Sequence, residues 1–168
     1  MSRWGIARSA VVVAVLMGTL TGVSAAAQEE VLGPGNRALI DASATSAAID
    51  AATSLSEDLF SFTYTDLEAH EATFGRLTTG EFSNRYSELF ATVATQAQAQ
   101  QVTLTSTVAE SATLVLREGH AVVLVFLDQE TSSARTGQKT EASAVFRATI
   151  ERVDGDWKVA DIDLYEGK

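Results

Sequence analysis

The dipeptide Asp154-Gly155 constrains this chain more than any other feature, because it sits inside Ala144–Leu164 between two runs of alternating residues. Both central residues of a type I′ turn need positive φ, and Asp-Gly accepts that at little cost. The turn sets a register by arithmetic: Val153 faces Asp156, Arg152 faces Trp157, Glu151 faces Lys158 and Ile150 faces Val159. Continued without interruption, the ladder pairs Ala148 with Asp161 and Phe146 with Asp163. One of these pairs joins opposite charges and another stacks a guanidinium on an indole, contacts worth roughly 0.2–1 kcal/mol each.

Upstream of the hairpin the period is also two. Val102, Leu104, Ser106 and Val108 alternate with Thr103, Thr105 and Thr107, the pattern of a strand with two unlike faces. Leu114–Leu116 continues it past an expected bulge at Glu110-Ser111, and Arg117–His120 turns. Ala121–Leu127 is seven consecutive apolar residues. Such a run suits a central strand, packed by helices on one side and by a partner or pocket contents on the other. Asp128–Thr140 is polar and reads as a flexible loop.

Before Gln100 the period is helical. Ala48, Ala52, Leu55, Leu59 and Phe62 fall on one face of a first helix. Thr65-Asp66-Leu67-Glu68 fits a capping box that opens a second, short helix through Arg76. Thr78-Thr79-Gly80-Glu81 repeats the device and opens a third, with core face Phe82, Tyr86, Leu89, Phe90 and Val93, ending near Gln98. Helices in the first half and strands in the second give an α+β class: an N-terminal apolar helix, then about three helices packed on a curved antiparallel sheet of about four strands.

The N-terminus carries a separate message. Ser9–Gln28 is 20 residues without a charge, enough as a helix to span about 30 Å of hydrocarbon. Its strongly apolar part is only Ala10–Leu20, and Ala25-Ala26-Ala27 reads equally as a cleavage site. Membrane anchor and cleaved signal therefore both stand, and both export the remainder of the chain. Arg3 and Arg8 precede the run while Glu29 and Glu30 come just after it, which puts the N-terminus in the cytoplasm and the C-terminal domain outside; the alternative is secretion after cleavage near Ala27. Gln28–Asn36, with Gly33-Pro34-Gly35, reads as a linker. The organisation expected is 1–27 anchor or signal, 28–36 linker and 37–168 α+β domain.

Beyond Ala27 ten basic residues face 22 acidic ones. So acidic a domain repels phosphate backbones, which excludes nucleic acid as a partner. There is no cysteine, and His70 and His120 are the only imidazoles, so neither a metal site nor a cofactor is expected.

With these residues in order, a resemblance appears. The N-terminal apolar segment, the Ala-rich helix, Phe62-Thr63-Tyr64-Thr65-Asp66-Leu67, Leu77-Thr78-Thr79-Gly80-Glu81-Phe82 and Val153-Asp154-Gly155-Asp156-Trp157-Lys158-Val159-Ala160-Asp161 together resemble the Mce-associated membrane proteins of actinomycete cell envelopes. The match covers about Ala48–Asp163. The family usually has a clearer membrane span and often a longer cytoplasmic segment before it. The resemblance implies an outer domain with the nuclear-transport-factor-2-like (NTF2-like, or cystatin-like) cone. It also implies a non-catalytic accessory role beside Mce complexes, which import lipids through the envelope, with Mce-complex proteins as partners. It brings no catalytic residues. The alternative is an exported NTF2-like module that binds a small apolar ligand, a lipid for example.

Asp161 and Asp163 are the residues most suggestive of chemistry. The uninterrupted register places them on the face of Phe146, Ala148, Ile150 and Val159, and carboxylates in an apolar cone are tuned for proton transfer. A bulge would instead turn them to solvent and bring Ala160, Ile162 and Leu164 inward, and that reading is preferred. Tyr64, Tyr86, Phe146 and Trp157 complete the set of candidate pocket-lining residues; core packing is the simpler role for the aromatics. His70, four residues after Asp66, is expected to pair with it on a half-exposed helix face, and His120 to be solvated in its turn.

Overall fold

The computed structural model describes residues 35–165. The expected apolar segment 1–27, the cleavage point near Ala27 and all but the last two residues of the 28–36 linker lie outside the described residues. Helix α1, Ala42–Phe60, starts at Asp41, whose carboxylate accepts the Ala44 amide and so satisfies one orphan donor of the first turn. Its buried stripe is Ala48, Ala52, Leu55 and Leu59, at the expected spacing. Phe62 is buried too, but from strand β1, Phe62–Thr63, because the backbone turns extended at Ser61.

The second helix is broken in two, α2 (Leu67–Ala72) and α3 (Phe74–Leu77). The break falls at Thr73, whose hydroxyl bonds back to the His70 carbonyl, a local bond that competes with helix continuation. Neither expected capping box forms. Asp66 precedes α2 without a side-chain cap, and the Thr65 hydroxyl meets Thr63 instead. Before helix α4, Gly80–Gln100, the Thr78 hydroxyl donates to the Phe74 carbonyl, while the Thr79 amide donates to the Val159 carbonyl at 2.9 Å. The Thr78 hydroxyl and amide are thus both taken by the Phe74 carbonyl, and the Thr79 amide docks the loop on the last strand. Helix α4 buries Phe82, Tyr86, Phe90, Val93 and Ala97, with Leu89 partly covered.

Four long strands complete the domain: β2 (Val102–Arg117), β3 (His120–Ser133), β4 (Lys139–Val153) and β5 (Asp156–Leu164). The sheet is an antiparallel meander in the order β1-β2-β3-β4-β5, so Ala121–Leu127 is central as expected. Register shifts at Val108/Glu110 and Thr113/Val115 bulge β2, beside the place expected, and bulges bend and twist a strand. The helices pack on the concave face of this curled half-barrel, and α+β with an NTF2-like cone is the observed class.

The reading of Asp128–Thr140 as a loop is corrected. β3 runs on to Ser133 and β4 starts at Lys139, which leaves only Ala134–Gln138 to turn. Composition misleads here because the strand's far half is polar on both faces: Gln129, Thr131 and Ser133 are buried while Asp128 is exposed. Alternation, not hydrophobicity, is the usable signal.

The terminal hairpin keeps the expected register from Val153–Asp156 to Ile150–Val159. Asp154 has φ 55° and Gly155 φ 94°, both positive as type I′ requires. Beyond Val159 the expected pairs are wrong by one residue. Ala160 is an extra residue in β5, so Thr149 faces Asp161, Ala148 faces Ile162, Arg147 faces Asp163 and Phe146 faces Leu164. The preferred bulge is therefore present.

Candidate functional site

The bulge at Ala160 decides where the two carboxylates go. It turns Ile162 into the core, 1% exposed, and carries Asp161 and Asp163 off the face of Phe146, Ala148 and Ile150. Each then meets an arginine that sequence reasoning had not singled out. Asp161 Oδ1 lies 2.5 Å from Arg85 Nη2 of α4, an exposed pair, and Asp163 pairs with Arg147 across the β4–β5 ladder. The second pair is only 17% and 19% exposed, and the Arg147 guanidinium also lies 5.3 Å from the centre of the Tyr165 ring.

The candidate aromatics divide between the core and the surface. Tyr86 and Phe146 are fully buried and meet through Phe60, whose ring centre is 6.2 Å from one and 5.6 Å from the other. The Tyr86 hydroxyl donates to the Leu59 carbonyl, and burial raises its pKa far above the usual value. Tyr64 lies at a surface cleft with Asp66, Leu67 and Gln98. Trp157 packs partly on the core at the turn end of the hairpin, with the Arg152 guanidinium 5.0 Å from the centre of its ring as the hairpin register implied. The structure thus joins Tyr86 to Phe146, and separates both from Tyr64, Trp157 and the two ion pairs.

Both histidines differ from expectation. The His70 ring is not spent on a pair with Asp66; it packs among Phe62, Phe74 and Phe90 at 6.1, 5.2 and 5.0 Å, with Nε2 buried and unpartnered. Burial lowers its pKa; a hydrogen bond at Leu59 and the charges of Asp58 and Asp66 oppose this. His120 is half-buried, its Nδ1 3.6 Å from Glu151 Oε1. Among the described residues no group of three or more acidic or imidazole side chains is arranged to hold a metal ion.

Two outer surfaces stand out. The helix-free face of the sheet shows Phe126, 41% exposed, and Tyr165, 56% exposed, beside the half-buried Leu124 and Val145. At the end where Arg117–His120 and the Asp154-Gly155 turn adjoin, a cleft of about 490 Å³ runs between Arg37, Leu116, Arg117, Arg152 and Trp157. The run Ala121–Leu127 had called for a partner or pocket contents on the first of these faces; the cleft depends on which strand ends the fold brings together and had no sequence signal.

No protein-family model matches the chain. It is similar to the uncharacterized protein Rv1362c of Mycobacterium tuberculosis, 31% identical over 120 residues that are 71% of this chain and 54% of that protein. It is also similar to Rv1973 of the same organism, named an outer membrane protein, 31% identical over 86 residues that are 51% of this chain and 53% of that one. The chain spans about half the length of the curated relatives it matches. Among solved structures, CagV of Helicobacter pylori, a VirB8 homologue of a T4SS, aligns over 73% of this chain and 99% of its own with TM-score 0.59 and 9% identity. A periplasmic fragment of TraM aligns over 71% and 96% with TM-score 0.58 and 16% identity. Identities this low speak to the fold alone.

Proposed function

We propose that this chain is a membrane-tethered, non-catalytic accessory domain of an Mce-type lipid-uptake complex in the cell envelope, acting through protein contacts. The observation that carries the reading is the filled cone. Phe60, Tyr86, Phe90 and Phe146 are fully buried under the helices, and the ring contacts among them and Phe74 run from 4.8 to 6.3 Å. An interior packed in this way is a core, whereas small-molecule sites are concave and open to their ligand. Recognition then falls to the outside, where Leu124, Phe126, Val145 and Tyr165 form an apolar strip on the helix-free face. This is the side on which the apolar run Ala121–Leu127 called for a partner.

Further support comes from the residue order shared with the Mce-associated family, from the fold likeness to a VirB8 homologue and a periplasmic fragment, and from the outer-membrane name of one relative. In this reading Ser9–Gln28 is the tether, the N-terminus is cytoplasmic and 37–168 is extracytoplasmic. Cross-linking with subsequent affinity purification of the full chain from its native membranes is the test. Mce-complex proteins are expected with the wild type and are expected to fall away with Phe126→Glu plus Tyr165→Glu, whose circular dichroism stays native. Their absence from the wild-type sample would remove the role, and a bound lipid found instead by native mass spectrometry would favour the ligand-binding alternative.

A further inference from the structure

We propose that the turn Ala38–Ile40 is a lipid-contacting tip that seats the domain against the bilayer interface; this step rests on the tether reading above. Leu39 is 99% exposed and Ile40 82%, the largest exposures among the large apolar side chains of the described residues, and they are adjacent. A solvated turn of a soluble domain favours polar residues there, so two neighbouring aliphatic side chains held fully in water point to a covering phase.

The exposure belongs to a built turn. Asn36 Nδ2 donates to the Leu114 carbonyl while its Oδ1 accepts the Leu116 amide at 3.0 Å and the Ala38 amide at 3.0 Å. The Ile40 and Asp41 amides both donate to the Arg37 carbonyl, and the Thr45 hydroxyl donates to the Ala38 carbonyl. Ala38 itself is buried. The two flanks are thus pinned to β2 and α1, and Leu39 and Ile40 have nowhere to turn but outward.

The direction from which the chain arrives identifies the occupant. Only seven residues separate Gln28, the end of the uncharged run, from Asn36. At most about 3.6 Å per residue, that linker holds Asn36 within about 30 Å of the tether's end. The same end of the domain presents Trp157 and the arginines Arg37, Arg117 and Arg152, side chains that place an apolar body and a polar tip at an interface. Asp41, Glu118, Glu151, Asp154 and Asp156 lie there as well, so net attraction to anionic headgroups is not the driving term. Contact is through the aliphatic tip.

Because the chain has no cysteine, single probes can be placed at will. The full chain with Leu39→Cys or Ile40→Cys, labelled with an environment-sensitive fluorophore and reconstituted in phosphatidylcholine vesicles, is compared with Thr136→Cys at the opposite end. The probe at 39 or 40 is expected to emit further to the blue than at 136 and to be quenched by lipid-borne spin label, with little change when salt or anionic lipid is added. Chain that resists alkaline carbonate extraction while the probe at 39 and 40 behaves like that at 136 would overturn this inference and leave the tether standing. Chain released by carbonate would overturn the tether and the inference with it.

Discussion

His70 is a residue through which stability is expected to respond to pH. Its ring is wedged among three phenyl rings and burial lowers its pKa. The folded state therefore binds the proton less readily than the unfolded chain does. Stability from the neutral ring is whole above the unfolded value near 6.5 and is lost as pH falls through the lower folded value. His70→Phe should remove that part of the pH dependence, so urea midpoints of variant and wild type should diverge below pH 6.5; parallel curves would show that the ring titrates freely. Tyr86→Phe leaves the Leu59 carbonyl without its hydroxyl donor and should cost about 1–3 kcal/mol in urea unfolding. The two ion pairs should separate cleanly. Asp161→Asn, at an exposed pair, should cost under about 1 kcal/mol. Arg147→Ala strands a half-buried Asp163 and should cost about 1.5–3 kcal/mol. Equal losses would mean that the environments assigned to the two carboxylates are wrong.

At the scale of elements, local signals succeeded wherever chain geometry alone decides. Asp154-Gly155 needs positive φ at both positions and has it, so Gly155→Val should lower stability by about 1–2 kcal/mol, read as a lower melting temperature. The helical stripes Ala48–Leu59 and Phe82–Val93 were legible because 3.6-residue spacing survives any tertiary context. Capping was not, because the Thr78 and Thr79 groups are claimed by Phe74 and Val159, partners 4 and 80 residues distant in sequence. The bulge at Ala160 is the element on which the carboxylates depend. Deleting Ala160 would remove the bulge yet keep the observed pairs, Thr149 with Asp161, Ala148 with Ile162 and Arg147 with Asp163, so that Ile162 stays in the core and both carboxylates stay outside it. Cooperative unfolding is expected to persist, since every side chain keeps its face and only the local twist of the bulge is lost. A deletion variant that loses its cooperative transition would show that Asp161, Ile162 and Asp163 do not hold the faces assigned to them.

For the whole molecule, the α+β class, the strand-rich second half and the register from Val153–Asp156 to Ile150–Val159 were readable in the sequence, because periodicity and turn chemistry are local. The candidate site was less readable: its members were grouped by a register that one inserted residue shifts, and the arginines facing Asp161 and Asp163 come from α4 and β4. The polar half of β3 escaped for a similar reason, since Gln129 and Ser106 are joined only when the sheet closes. What results is a cone whose inside is core and whose outside is left for contacts. The most direct measurement compares cells in which the chain is replaced by one lacking 37–165 with cells carrying Asp161→Asn plus Asp163→Asn, scoring both the amount of assembled import complex and lipid uptake. An accessory acting through contacts predicts that the deletion lowers complex and uptake together while the double substitution leaves both near wild type. Uptake falling by the 10²–10⁴-fold of a lost general acid or base, with the complex at its normal level, would contradict it.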